Sequence, residues 1–150
     1  MESKKKQKGG NKRLNAKSKP GHYDDDAKLA KEKLRAEFDA LGTDDMEELI
    51  KLTRSDNETV RLRATQQMCP CRVDGDVPEF WERIFELAED PSEKVRYQVL
   101  HNMCDGSPEG YEDKVIETLE IFNRDPDKDI RRKAHQVIAS YKYKGEYNIM

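Results

Sequence analysis

The chain has no long hydrophobic run. Nowhere does it approach the ~18 consecutive apolar residues that a transmembrane helix needs. Its N-terminus is basic but no apolar stretch follows, so it does not read as a secretory signal. Cysteine is scarce and odd in number, with three residues. Without an export signal, three cysteines point to free thiols in a reducing compartment, the cytosol or the nucleus, rather than to a disulfide framework. Catalytic signatures are missing too: there is no Gly-rich phosphate loop, no His/Glu metal helix motif and no nucleophile elbow. We therefore expect no catalytic residue and no cofactor.

Apolar residues make up only 35% of the chain against 39% charged, a balance that suits a thin, two-layer helical structure better than a thick core. The net charge of −3 conceals a segregation. Residues 1–20 carry eight Lys/Arg against Glu2, a net +7, and the other 130 residues hold 20 basic and 30 acidic side chains, a net −10. The first stretch has almost nothing with which to form a core, so residues 1–23 are expected to be a disordered basic tail. Its lysines suit a nuclear-localisation signal, a nucleic-acid arm or a solubilising segment, and composition does not choose among them.

What the chain does contain is a repeat. Three stretches superimpose with a shift of 35 residues and no gap. Val60-Arg61, Val95-Arg96 and Ile130-Arg131 fall in register, as do Ala64/Val99/Ala134, Met68/Met103/Ile138, Leu49/Ile84/Leu119 and Leu52/Leu87/Phe122. Such a period is the signature of stacked units, none of which can bury its apolar face alone. Each unit reads as two helices at apolar spacing 3.6. First helices are expected over 44–54, 78–89 and 111–123, and second helices over 57–69, 92–104 and 127–142. Ser55, Asp90 and Asp125 are placed at the N-caps of the second helices, with Pro91 and Pro126 at the first helical position and Glu58 and Glu93 completing capping boxes. Pro70, Gly106 and Gly145 should stop these helices. A further helix, 24–42, begins at Asp24-Asp25-Asp26, carries Leu29, Leu34, Phe38 and Leu41, and ends at Gly42. It is expected to cap the first unit.

An Asp, then an aliphatic five residues on, then Arg recurs in Asp90-Pro-Ser-Glu-Lys-Val95-Arg96 and Asp125-Pro-Asp-Lys-Asp-Ile130-Arg131. The first copy has Ser55 in place of Asp but keeps Val60-Arg61. In this motif and its spacing the chain resembles HEAT-repeat proteins, over about residues 43–142, and most closely the short form of small bacterial HEAT-repeat proteins. The resemblance implies an all-α solenoid of three two-helix repeats, residues 43–150, behind the capping helix. It implies an interaction scaffold rather than a particular reaction. It also implies that Arg61, Arg96 and Arg131 form a structural ladder with the turn residues Asp90 and Asp125. HEAT-like enzymes such as alkylpurine DNA glycosylases and bilin lyases use a concave aromatic and acidic pocket, and this chain places only Tyr97 there.

Turning about 100° per residue from Ala64 aims Leu62, Gln66 and Cys69 away from the core, with Tyr97, His101 and Cys104 on the second unit and Arg132, Gln136 and Ala139 on the third. In a HEAT solenoid the second helices line the concave side, so these rows form the expected partner surface, rimmed by Arg63, Lys94 and Lys133. The first helices with their flanks total −10 and the second helices +7. A basic inner face would attract an acidic or amphipathic protein segment. The runner-up partner is nucleic acid, held by tail and groove together. Cys69-Pro70-Cys71 with His101 and Cys104 suggests a zinc site, but the spacing matches no standard pattern and no metal is expected. Neighbouring helix axes lie about 8–10 Å apart, too far for a Cys69–Cys104 disulfide with its roughly 4.4–6.8 Å Cα separation. The protein is expected to be monomeric alone and to bind no membrane.

Overall fold

The structure, a computed structural model, describes residues 22–70 and 77–150. The basic stretch before residue 22, with its expected disorder, and Cys71 lie outside the described residues. Among those residues the protein is all-α, with seven helices and no strand. They are α1 (His22–Ala40), α2 (Met46–Leu52), α3 (Glu58–Gln67), α4 (Pro78–Glu86, continued by a 3-10 turn over Leu87–Glu89), α5 (Glu93–Met103), α6 (Glu112–Phe122) and α7 (Lys128–Lys144). No helix is long and apolar enough to cross a membrane.

Every residue of the repeating apolar register is buried: Leu49, Ile84 and Leu119; Leu52, Leu87 and Phe122; Val60, Val95 and Ile130; and the Ala64 and Met68 sets that follow. Helical spacing puts each set on one face, and those faces meet. The α3 helix packs on α5, α5 on α7, and α2 on α4. Trp81 is core, 2% exposed, with its ring 5.0 Å from Phe80 and 5.6 Å from Tyr111. Polar side chains also span the joints. Arg83 of α4 donates to the Thr53 hydroxyl at 2.8 Å and the Thr53 carbonyl at 3.1 Å, at the end of α2. Asn102 of α5, with no exposed surface, donates to the carbonyls of Thr65 and Met68 at 2.8 and 3.3 Å, where α3 ends. The Thr65 carbonyl also accepts the Met68 N–H at 3.1 Å, so Asn102 adds a second donor there and reaches the Met68 carbonyl at the C-cap itself.

Two expectations about α1 need correction. It begins at His22 rather than Asp24, and Leu29 is 63% exposed rather than part of an apolar stripe. Only its second half, Leu34, Phe38 and Ala40, with Leu41 just past its end, packs on Leu52, Val60 and Ala64. Gly42 follows with φ 95°, a conformation that suits a residue without Cβ.

The caps of the second helices sit two residues later than the sequence suggests. Asn57, Ser92 and Asp127 are the N-caps, each accepting from backbone N–H groups of the first turn. Ser55, Asp90 and Asp125 instead accept the N–H two residues on, at 3.1, 2.9 and 2.8 Å. This turn holds Pro91 and Pro126 outside the helix, and leaves a carboxylate face turned to the preceding unit. Glu58 and Glu93 are then first-turn residues, not capping-box partners. Glu58 accepts from Ser92 Oγ at 2.7 Å, and Glu37 of α1 accepts from Ser55 Oγ at the same distance.

A last segment lies outside the repeating units. Past Gly145 (φ 72°), Tyr147 is buried against Tyr141, Asn148 Oδ1 accepts from the backbone N–H groups of Gly106 and Ser107 at 3.1 and 3.2 Å, and Met150 N–H donates to the Cys104 carbonyl at 3.0 Å. Residues 146–150 thus strap across the end of α5.

Candidate functional site

The arginine register sets how α3, α5 and α7 stand beside one another. Arg61 forms a fork with Asp90, Nε to Oδ2 at 2.9 Å and Nη2 to Oδ1 at 3.2 Å, while Nη1 donates to the Ser55 carbonyl at 3.0 Å. Arg96 repeats this with Asp125 at 2.8 and 3.0 Å and the Asp90 carbonyl at 2.9 Å. The side chains of both pairs are at most 13% exposed. Arg131 caps the Asp125 and Pro126 carbonyls at 2.6 and 2.9 Å. Each bidentate fork runs from one second helix to the turn that opens the next, and it fixes angle as well as distance.

With that spacing, α3, α5 and α7 enclose an open groove of about 910 Å³. Leu62, Gln66, Tyr97, Arg132, Lys133 and Gln136, all expected at a partner surface, line it together. Tyr97 is 42% exposed there. Two of the remaining expected residues are held by other partners. Arg63 is drawn to α1, its guanidinium 5.6 Å from the centre of the Phe38 ring, and His101 faces Asp105. The sequence reading missed Gln98 and the carboxylates Glu93, Asp127 and Asp129 in the lining. These acidic residues lie at the starts of α5 and α7, where the helix dipole favours them, and that position was the available signal.

Charge in the groove is therefore mixed rather than basic. Lys94, Arg132 and Lys133 meet Glu93, Asp127 and Asp129. Arg132 pairs with Asp129 at 2.8 Å, and Lys94 lies 3.7 Å from Glu58. Three of the basic residues on the second helices, Arg61, Arg96 and Arg131, serve the ladder instead of the groove. Asp127 accepts from the Ile130 and Asp129 N–H groups, and the Ile130 bond is the chief reason its carboxyl titrates below its ordinary value. The first helices carry acid: Glu47, Glu79, Glu82 and Glu86 edge a cleft floored by Met46, Ile50 and Val77.

The thiols depart from expectation. Cys69 and Cys104, expected on the outward rows, are 6% and 0% exposed. Both stand at or beyond a helix end, where the 100° rule fails: α3 stops at Gln67, and Cys104 is itself a C-cap with φ −105° and ψ 15°. Burial pushes the Cys104 thiol up to about 12. Ala139 is half-buried as well. Cys69 Sγ donates to Asp105 Oδ2 at 3.2 Å, and His101 Nε2 lies 3.6 Å from the same oxygen. The three ligand-type atoms all fall within 4.8 Å of one another. Cys104 does not belong to this cluster, and Asp105 takes the place the sequence reading had given it.

No family model matches the chain, and neither a curated protein nor a solved structure matches it.

Proposed function

We propose that the chain is a HEAT-type α-solenoid of three units capped by α1, and that it serves as a non-enzymatic binding module for an amphipathic protein segment. The 35-residue register of buried residues and the Arg–Asp forks that follow it support the architecture. One observation carries the function: a groove assembled from three successive second helices, with Leu62 and Tyr97 between charges of both signs. Exposed aromatic surface held on rigid helices is what a partner's apolar side chain would cover, and buried aromatic anchors dominate interface energies. Balanced charge favours a segment with an apolar anchor flanked by both signs over a polyanion, which would meet three carboxylates.

Selection from a displayed peptide library against the full chain tests this. Enriched peptides should combine aliphatic or aromatic anchors with mixed charge, and Leu62→Ala/Tyr97→Ala should weaken them roughly 30-fold, about 2 kcal/mol. Enrichment indifferent to that double change would overturn the assignment. The net +7 of residues 1–20 supports a second reading, attachment to nucleic acid. That reading expects affinity to collapse as salt rises from about 50 to about 200 mM and to vanish when residues 1–20 are removed.

A further inference from the structure

We propose that Cys69, His101 and Asp105 form a binding site for a zinc-class divalent transition ion that ties the end of α3 to the end of α5. His101 and Asp105 stand four residues apart, one on the last turn of α5 and the other just beyond it, so both reach the same side. Cys69 arrives from just past α3. Around a tetrahedral zinc, sulfur at about 2.3 Å and nitrogen or oxygen at about 2.0–2.1 Å place ligand atoms roughly 3.3–3.7 Å apart. The imidazole–carboxylate separation here, 3.6 Å, has that size, and the thiol–carboxylate separation of 3.2 Å lies just below it. The thiol and imidazole lie within 4.8 Å, so a small side-chain rotation closes the set.

The donors choose the ion. One sulfur, one nitrogen and one oxygen suit zinc and its neighbours, whereas calcium and magnesium take oxygen sets. Access is one-sided: Cys69 is buried, while the His101 and Asp105 side chains are 37% and 32% exposed, which leaves an entry path and a fourth position for water. Among the described residues no Lys or Arg pairs with Asp105, so its charge is available to the ion. On binding, the Cys69 S–H bond breaks, its proton passes to solvent and a sulfur–metal bond forms. His101 and Asp105 each contribute a lone pair, and no electron is transferred.

Cobalt(II) titration of the full-length, metal-stripped protein, followed by zinc competition, tests the site. One equivalent should bind with thiolate-to-cobalt charge-transfer absorption, and zinc should displace it. Cys69→Ser should abolish that absorption and Cys104→Ala should retain it. His101→Ala and Asp105→Asn change half-exposed side chains and should keep the helicity by circular dichroism. Each should weaken binding by more than the roughly 10–100-fold lost when only an outer hydrogen-bond partner is removed. Failure to take up one equivalent, or uptake with undiminished affinity in His101→Ala and Asp105→Asn, would overturn the proposal.

Discussion

Truncating Arg96 to alanine separates a ladder that holds the molecule together from a row of incidental surface ion pairs. The wild-type guanidinium makes two bonds to Asp125 and one to the Asp90 carbonyl, all between 2.8 and 3.0 Å. The two side chains are 12% and 4% exposed. The bond to Asp125 raises the arginine's pKa, so the guanidinium keeps its charge until far into alkali. After truncation Asp125 keeps the Asp127 N–H at 2.8 Å but has lost its counter-ion while still buried. A hydrogen bond to a charged group contributes about 1.5–3 kcal/mol, and breaking a buried pair costs about 3–5 kcal/mol. Because Arg96 lies at the rim of the core, the lower end applies, about 3 kcal/mol, or about 10 °C in Tm for a domain of this size.

Arg131 is the internal control. It is exposed and, among the described residues, bonds only to carbonyls, so Arg131→Ala should cost about 1 kcal/mol. Urea unfolding followed by far-UV circular dichroism would measure both, with unchanged m values confirming that only stability moved. A cycle with Asp125→Ala should return a coupling above about 1 kcal/mol. Equal losses at Arg96 and Arg131, or a loss at Arg96 within the roughly 0.5 kcal/mol of ordinary surface changes, would refute the reasoning.

Asn102→Ala should cost about 2 kcal/mol in the same assay, because the carbonyls of Thr65 and Met68 lose a buried donor. Asp127 has a depressed carboxyl pKa in the fold, so its stabilisation is present above the unfolded value and lost as pH falls through the folded one. Asp127→Asn keeps a cap acceptor but cannot titrate, and should flatten the stability profile below about pH 4; an unchanged acid limb would count against the cap assignment. Tyr147→Ala should cost roughly 3 kcal/mol by removing a buried ring, and amide exchange at Gly106 and Ser107 should quicken as Asn148 lets go. Exchange rates that do not change would mean that the 146–150 strap is not closed in solution.

The order of helices and the identity of the buried face were legible because they depend on neighbours a few residues apart. Apolar spacing within each unit, repeated at a fixed shift, put Leu49, Ile84 and Leu119 and their companions inside without reference to any distant contact. Trp81 followed from register alone, and the stop at Gly145 from the glycine itself. Local pattern failed where the chain leaves the helix. Cys69 and Cys104 stand at helix ends, so rotation from Ala64 gave the wrong side for both. Caps slipped by two residues because Asp90 and Asp125 answer to an arginine 29 residues earlier as well as to their own turn.

The candidate sites divide in the same way. Leu62, Tyr97 and Gln136 share a groove because each lies within a helix whose rotation the sequence already determined. The groove's net charge was decided by tertiary pairing, which commits Arg61 and Arg96 to the ladder and turns Arg63 to Phe38. Asp105 beside Cys69 is a contact across 36 residues, invisible to any spacing rule. Periodicity determines which face is buried, because burial follows from local geometry. Which polar groups meet across helix ends depends on how the helices dock, and only the assembled structure specifies that.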